Sequence, residues 1–127
     1  CPVVIGTRKA KGADMIPPQP FLRRKLGEGY TLLARLTTGV KVSDFTCGFK
    51  IFSKKAAEQI FIRQKINKWG FDPEILYIGK IKKFSIKEVP VYWENDPRTK
   101  VKFPQDIINS LGELVRIRLN TRRGLYK

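Results

Sequence analysis

The chain has 127 residues, 42% of them apolar, and sets 26 Lys and Arg against 11 Asp and Glu for a formal net charge of +15. That length suits one hydrophobic core, and no apolar run reaches the ~20 residues that cross a bilayer. No histidine occurs, which removes the Ser-His and Cys-His routes to nucleophilic catalysis. Cys1 and Cys47 form neither a zinc-ligand pattern nor a disulfide framework. The one-sided charge calls for a polyanionic partner: nucleic acid, an anionic membrane surface or a phosphorylated substrate.

Val3, Val4 and Ile5 make an apolar strand ending at Gly6, Thr7 and Arg8. Such a strand sets a cation at the carboxyl edge of a sheet, where α/β proteins bind ligands. Opening at residue 2 with no element before it, the strand reads as the middle of a domain, with an exposed sheet edge expected there. Residues 9–20, with Pro17, Pro18 and Pro20, read as a loop long enough to serve as a lid. From Phe21, the spacing of Leu22, Leu26, Tyr30 and Leu33 predicts a helix with one apolar stripe, closed by Gly39. Arg23, Arg24 and Lys25 crowd its first turn, where the helix dipole disfavours cations unless an anion is present. They read equally as a phosphate site and as a basic surface turn.

Residues 42–52, VSDFTCGFKIF, are the stretch on which the rest is organised. Asp44 begins a turn or a strand edge, and Gly48 lets the backbone pass close to a neighbour or take a positive φ. Phe49 and Ile51 alternate with Lys50 and Phe52, as in a half-buried strand. Asp44, Thr46 and Cys47 at the mouth of a strand suit a site on a rigid support, and equally an ordinary turn before a core strand. Ser53 is placed to cap a helix through Ala56, Ala57, Ile60 and Phe61. Asp72-Pro73-Glu74 reads as a cap, a first helical residue and an acidic first turn, for a helix over 74–81.

Residues 84–93 are rich in Val, Ile and aromatics and predict a strand. Its alternation changes phase at Glu88-Val89, and Pro90 removes a ladder donor, so a bulge or an edge position is expected. A charged loop with Asp96-Pro97-Arg98 follows. The last helix starts at Pro104, with Ile107, Ile108, Leu111, Leu114, Val115 and Leu119 as its apolar face and arginines 116, 118, 122 and 123 toward its end. Such a helix rests on a membrane surface or packs inward.

Taken in order, Val3-Val4-Ile5-Gly6-Thr7-Arg8, Arg23-Arg24, Asp44-Phe45-Thr46-Cys47-Gly48-Phe49-Lys50, Trp69-Gly70-Phe71-Asp72-Pro73-Glu74-Ile75-Leu76, Glu88-Val89-Pro90-Val91 and Thr99-Lys100 resemble the carboxyl half of polyprenyl-phosphate (dolichyl-phosphate) glycosyltransferases. The resemblance implies an α/β fold, the C-terminal portion of a GT-A domain with a Rossmann-like mixed sheet. Residues 1–127 would be its acceptor-side half, the nucleotide-binding half with its Asp-x-Asp motif lying outside the chain. It implies inverting transfer of a hexose from a nucleotide sugar, UDP-glucose or GDP-mannose, to a polyprenyl phosphate. Mg2+ or Mn2+ would be held by the other half, with no metal ligand in this chain, so that this piece alone would be inactive. The place implied is cytoplasmic, peripheral at an anionic membrane surface.

By the same resemblance, Arg8, Arg23 and Arg24 would hold the acceptor phosphate, with the 9–20 loop as an acceptor lid. Lys100 would approach the donor diphosphate; Arg98 beside it departs from the family pattern and is grouped with the same diphosphate. Asp44 is the candidate catalytic carboxylate near the anomeric centre, and Thr46, Cys47, Gly48, Asp72 and Glu74 are candidate lining residues. Two other classes stand against this reading: a nucleic-acid-binding domain and a lipid-surface module built on the last helix. Nucleic acid is disfavoured, because the aromatics fall within apolar periodic segments rather than between Lys and Arg.

Overall fold

A computed structural model describes residues 2–7, 14–16, 21–68, 70–94 and 105–127. The elements run β1 (Val3–Thr7), β2 (Asp14–Ile16), α1 (Phe21–Thr38), β3 (Lys50–Phe52), α2 (Lys54–Phe61), α3 (Phe71–Ile81), β4 (Ile86–Pro90), β5 (Tyr92–Glu94) and α4 (Gln105–Arg122). The fold class is α/β, as expected.

The valine-rich β1 lies in the middle of a mixed sheet of order β3-β1-β4. It pairs antiparallel with β3, Val3 opposite Phe52, and parallel with β4, Val3 opposite Ile86. The exposed edge expected at β1 is therefore corrected: among the described residues β3 and β4 are the outer strands, and β1 has a ladder partner on both sides. Pro90 closes β4 opposite Thr7, and Val91 then donates its N–H to the Thr7 carbonyl at 3.1 Å. The strand expected over 84–93 is thus broken in two, with its proline on an edge strand as its chemistry requires.

A second correction falls in the presumed lid. Residues 14–16 are not loop but β2, which pairs in parallel with β5, Asp14 opposite Tyr92 and Ile16 opposite Glu94. The segments on either side of β2, residues 8–13 and 17–20, lie outside the described residues.

The core gathers around α3, which is buried continuously from Pro73 to Gly79, Glu74 included. Val3 and Ile5 of β1, Ala56 and Ile60 of α2, Ala34 of α1, Leu114 and Ile117 of α4, and Phe45 close around it. Ser53 caps α2 as read from the sequence, its hydroxyl accepting the Ala56 N–H at 3.2 Å. Gly39 ends α1 with φ +71, the left-handed conformation glycine adopts without strain.

Two sequence readings are corrected in part at the level of side chains. The inner face of α1 is Thr31, Ala34 and Thr38 with Tyr30, which alone of the expected stripe's described side chains packs against the core, while Leu26, Leu32, Leu33 and Leu36 are exposed. The buried face of α4 is Leu114, Ile117 and Asn120, and Ile108, Leu111, Val115 and Leu119 face outward. In β3 the expected alternation holds: Phe49 and Ile51 are exposed, while Phe52 packs against the core and the Lys50 side chain is only 7% exposed. Helical spacing locates an apolar stripe but not what covers it.

Candidate functional site

The polypeptide between α1 and β3 passes over the carboxyl end of β1 and is fixed there from several directions. Arg35, in the last turn of α1, donates Nε–H to the Val42 carbonyl at 2.7 Å. Ser43 gives its backbone N–H to Glu88 Oε1 of β4, and its hydroxyl lies 3.0 Å and 3.2 Å from the two Glu88 oxygens. The Thr7 hydroxyl at the end of β1 is 2.8 Å from the Ser43 hydroxyl. Farther on, the Cys47 carbonyl accepts from Lys50 Nζ at 2.5 Å. Cys47 itself sits against Gly6, where an added Cβ would lie 3.3 Å from its sulfur.

Asp44 is in the middle of this segment and only 1% exposed. Of the sequence candidates, the fold brings Asp44, Thr46, Cys47 and Gly48 together on one braced loop. Cys47 is buried and Thr46 and Gly48 are exposed. The role imagined for Gly48 is not met: an added Cβ there would touch nothing within 4 Å, and its φ is not positive.

Asp72 and Glu74 are placed otherwise than expected. Asp72 is not a cap; the N-cap of α3 is Gly70, whose N–H is taken by Glu113 of α4. Asp72, in the first turn, pairs with Lys50 instead, Oδ1 to Nζ 2.7 Å. Glu74 is fully buried and committed to the scaffold. Its Oε1 accepts from the N–H groups of Lys65 and Ile66 at 2.9 Å and 3.0 Å, and its Oε2 accepts from the Tyr126 hydroxyl at 2.6 Å. A carboxylate so occupied braces the 63–68 loop and the chain after α4.

Arg23 and Arg24 fall in the first turn of α1. Arg8, Arg98 and Lys100 lie outside the described residues. Among the described residues, no group of three potential metal ligands clusters, and Glu74, Asp72 and Glu88 each hold protein donors. These carboxylates do not fit a divalent ion.

Thr7, Arg35, Lys50 and Glu88, all of which hold the loop, were not singled out from the sequence. Glu88 left a trace: a carboxylate at the phase break of an otherwise apolar and aromatic strand. Ser43, with Arg35, Glu28, Thr31 and Leu32, lines an open depression of about 220 Å3 beside the loop.

A dolichyl-phosphate beta-glucosyltransferase of Trichomonas vaginalis is 34% identical over 125 residues, 98% of this chain and 36% of its own length. Over nearly all of its length, this chain is similar to part of the dolichyl-phosphate beta-glucosyltransferases. The dolichyl-phosphate beta-glucosyltransferases of Dictyostelium discoideum, 31% identical, and Homo sapiens, 27% identical, also match 98% of the chain and 38% and 39% of their own lengths. The chain thus spans well under half the length of these polyprenyl-phosphate glycosyltransferases. No family model and no solved structure matches it. Its mixed sheet and helices agree with a C-terminal portion of a GT-A domain.

Proposed function

We propose that this chain is the acceptor-side part of an enzyme that transfers glucose from a nucleotide sugar to a polyprenyl phosphate with inversion. The observation that carries this is Asp44, a carboxylate held almost out of solvent at the carboxyl end of the central strand, in a protein matched along its length to dolichyl-phosphate beta-glucosyltransferases. The names of those relatives favour UDP-glucose over GDP-mannose as donor. In the reaction, an acceptor phosphate oxygen forms a bond to the anomeric carbon from one face as the bond to the nucleoside diphosphate breaks on the other. One displacement inverts the centre.

The phosphate nucleophile is already ionised near neutral pH, so Asp44 is needed to orient groups at the anomeric centre more than to remove a proton. Arg23 and Arg24, at the start of α1, would hold the acceptor phosphate with Arg8, since arginine's fork matches phosphate oxygens. Lys100 and Arg98 would meet the donor diphosphate. Mg2+ or Mn2+ would supply charge neutralisation at that diphosphate, from ligands outside this chain.

The outward stripes of α1 and α4 support contact with an anionic membrane surface. Leu36 is 74% exposed and Val115 60% exposed, and Arg116, Arg118 and Arg122 stand on the same helix as Val115. Apolar stripes with flanking cations lie at lipid interfaces. No helix among the described residues is long and apolar enough to cross a membrane. The aromatic pairs Phe52–Phe61 and Phe61–Phe71 engage one another instead of offering faces to bases, which weighs against nucleic acid.

The test is Asp44→Asn in the full-length protein. Glucosyl transfer should fall by about ten- to ten-thousand-fold, the span of a positioned acid–base group, with the fold intact. Near-normal transfer would sink the assignment.

A further inference from the structure

Glu88 belongs to β4, opposite Ile5 of the central strand, and both of its carboxylate oxygens are directed at one residue, Ser43. Ser43 has a single hydroxyl hydrogen. Given to Glu88, it leaves the Thr7 hydroxyl as donor in the 2.8 Å Thr7–Ser43 contact, so the three groups form one directed chain from β1 to β4. Arg35 fixes the preceding carbonyl, that of Val42, at 2.7 Å. The Val42–Ser43 peptide, one residue before Asp44, therefore has its carbonyl fixed by α1 and its N–H by β4, and the Ser43 side chain is held between β4 and β1. Hydrogen bonds to a charged acceptor are the stronger kind, and Glu88 is the charged member here.

We propose that Glu88 is a positioning residue for the transfer step: it holds Ser43 so that the adjoining Asp44 carboxylate keeps the direction the reaction needs. This rests on the reading of Asp44 given above. An ordinary loop clamp could be built from any acceptor. An amide is not equivalent here, because Gln at this position offers one acceptor oxygen and turns an NH2 toward the Ser43 hydroxyl. Angular freedom of even about 10–20° in a reacting group is enough to cost rate.

The experiment is a double-mutant cycle in the full-length protein, with UDP-glucose and a short-chain polyprenyl phosphate as substrates. Glu88→Gln should lower kcat about ten-fold while the nucleotide-sugar KM stays within about two-fold, since an interaction felt only in the transition state is lost. In an Asp44→Asn background the same substitution should change kcat less than about two-fold, because residues acting as a unit are non-additive. Equal losses in both backgrounds would make Glu88 a structural clamp only and overturn the proposal. Unchanged turnover in Asp44→Asn alone would overturn it by a different route, by removing the residue through which Glu88 acts. Should Glu88→Gln not fold, Ser43→Ala carries the same cycle, as it keeps the backbone N–H bond and deletes only the hydroxyl. A few-fold loss is then expected where Asp44 is present and none in the Asp44→Asn background; equal losses overturn the proposal.

Discussion

Lys50 reaches from β3 into the first turn of α3 and ion-pairs with Asp72, Nζ to Oδ1 2.7 Å, its side chain 7% exposed and that of Asp72 28% exposed. The same ammonium also donates to the Cys47 carbonyl at 2.5 Å. The pair thus ties the end of the Asp44 loop to the central helix.

Asp72→Asn is expected to destabilise the protein by about 2–3 kcal/mol. That is below the ~3–5 kcal/mol of a wholly buried pair losing one partner, because Asp72 keeps partial contact with solvent. Urea denaturation of the full-length protein measures it. A helix-cap role would have left Asn nearly silent, so a shift under about 0.5 kcal/mol would restore that view.

Tyr126 gives a pH signature. Burial first, and then its hydrogen bond to Glu74, raise its hydroxyl above the ordinary tyrosine range. The unfolded chain therefore releases this proton first as pH passes about 10, the unfolded state then binds fewer protons, and stability falls with rising pH. Tyr126→Phe should cost about 1–3 kcal/mol near neutral pH, because Glu74 Oε2 loses its donor. Its decline above pH ~10 should be shallower than the parent's. Tyr30, raised by burial and then by Asp72 and Glu113, keeps that decline from vanishing. Denaturation midpoints between about pH 8 and 11 check both statements.

Much of this was legible in advance. Gly39 marked the end of α1, Ser53 the start of α2, and Pro90 an edge position, each because its backbone chemistry acts within a few residues. What escaped was non-local. Nothing near Glu88 announces Ser43, and nothing near Lys50 announces Asp72, because tertiary packing and not spacing brings them together. The leucines of α1 misled for a related reason: periodicity gives a face, and tertiary packing chose Thr31, Ala34 and Thr38 as the inner one. Glu74 looked like a site carboxylate and is a core brace.

Gly6 is expected to refuse a side chain. A methyl group built there would lie 2.7 Å from Val91 Cγ1, 3.1 Å from Phe49 Cβ and 3.3 Å from Cys47 Sγ. Gly6→Ala should cost about 1–3 kcal/mol through overpacking. It should also lower glucosyl transfer, since the displaced Cys47 lies on the Asp44 loop. An unchanged melting temperature would mean the loop yields freely.

Replacing Arg23 and Arg24 together by Ala should weaken use of polyprenyl phosphate while sparing nucleotide-sugar binding. Each charged hydrogen bond to phosphate is worth roughly 1.5–3 kcal/mol. Acceptor KM from initial rates in detergent is the readout; an unaltered value would move the phosphate to other cations.

The position of β1 also sets an order of events at the ribosome. Its two ladder partners, residues 50–52 and 86–90, follow it in the chain. At ~5–20 residues per second, seconds separate the emergence of Val3 from that of Ile86. Until residues 50–52 emerge the most apolar strand of the sheet has neither of these neighbours, and until residues 86–90 emerge it still lacks its parallel one; closing so long a loop is a slow, entropically opposed step. The nascent chain therefore waits with one side of its stickiest segment still open, a state that cellular holdases recognise.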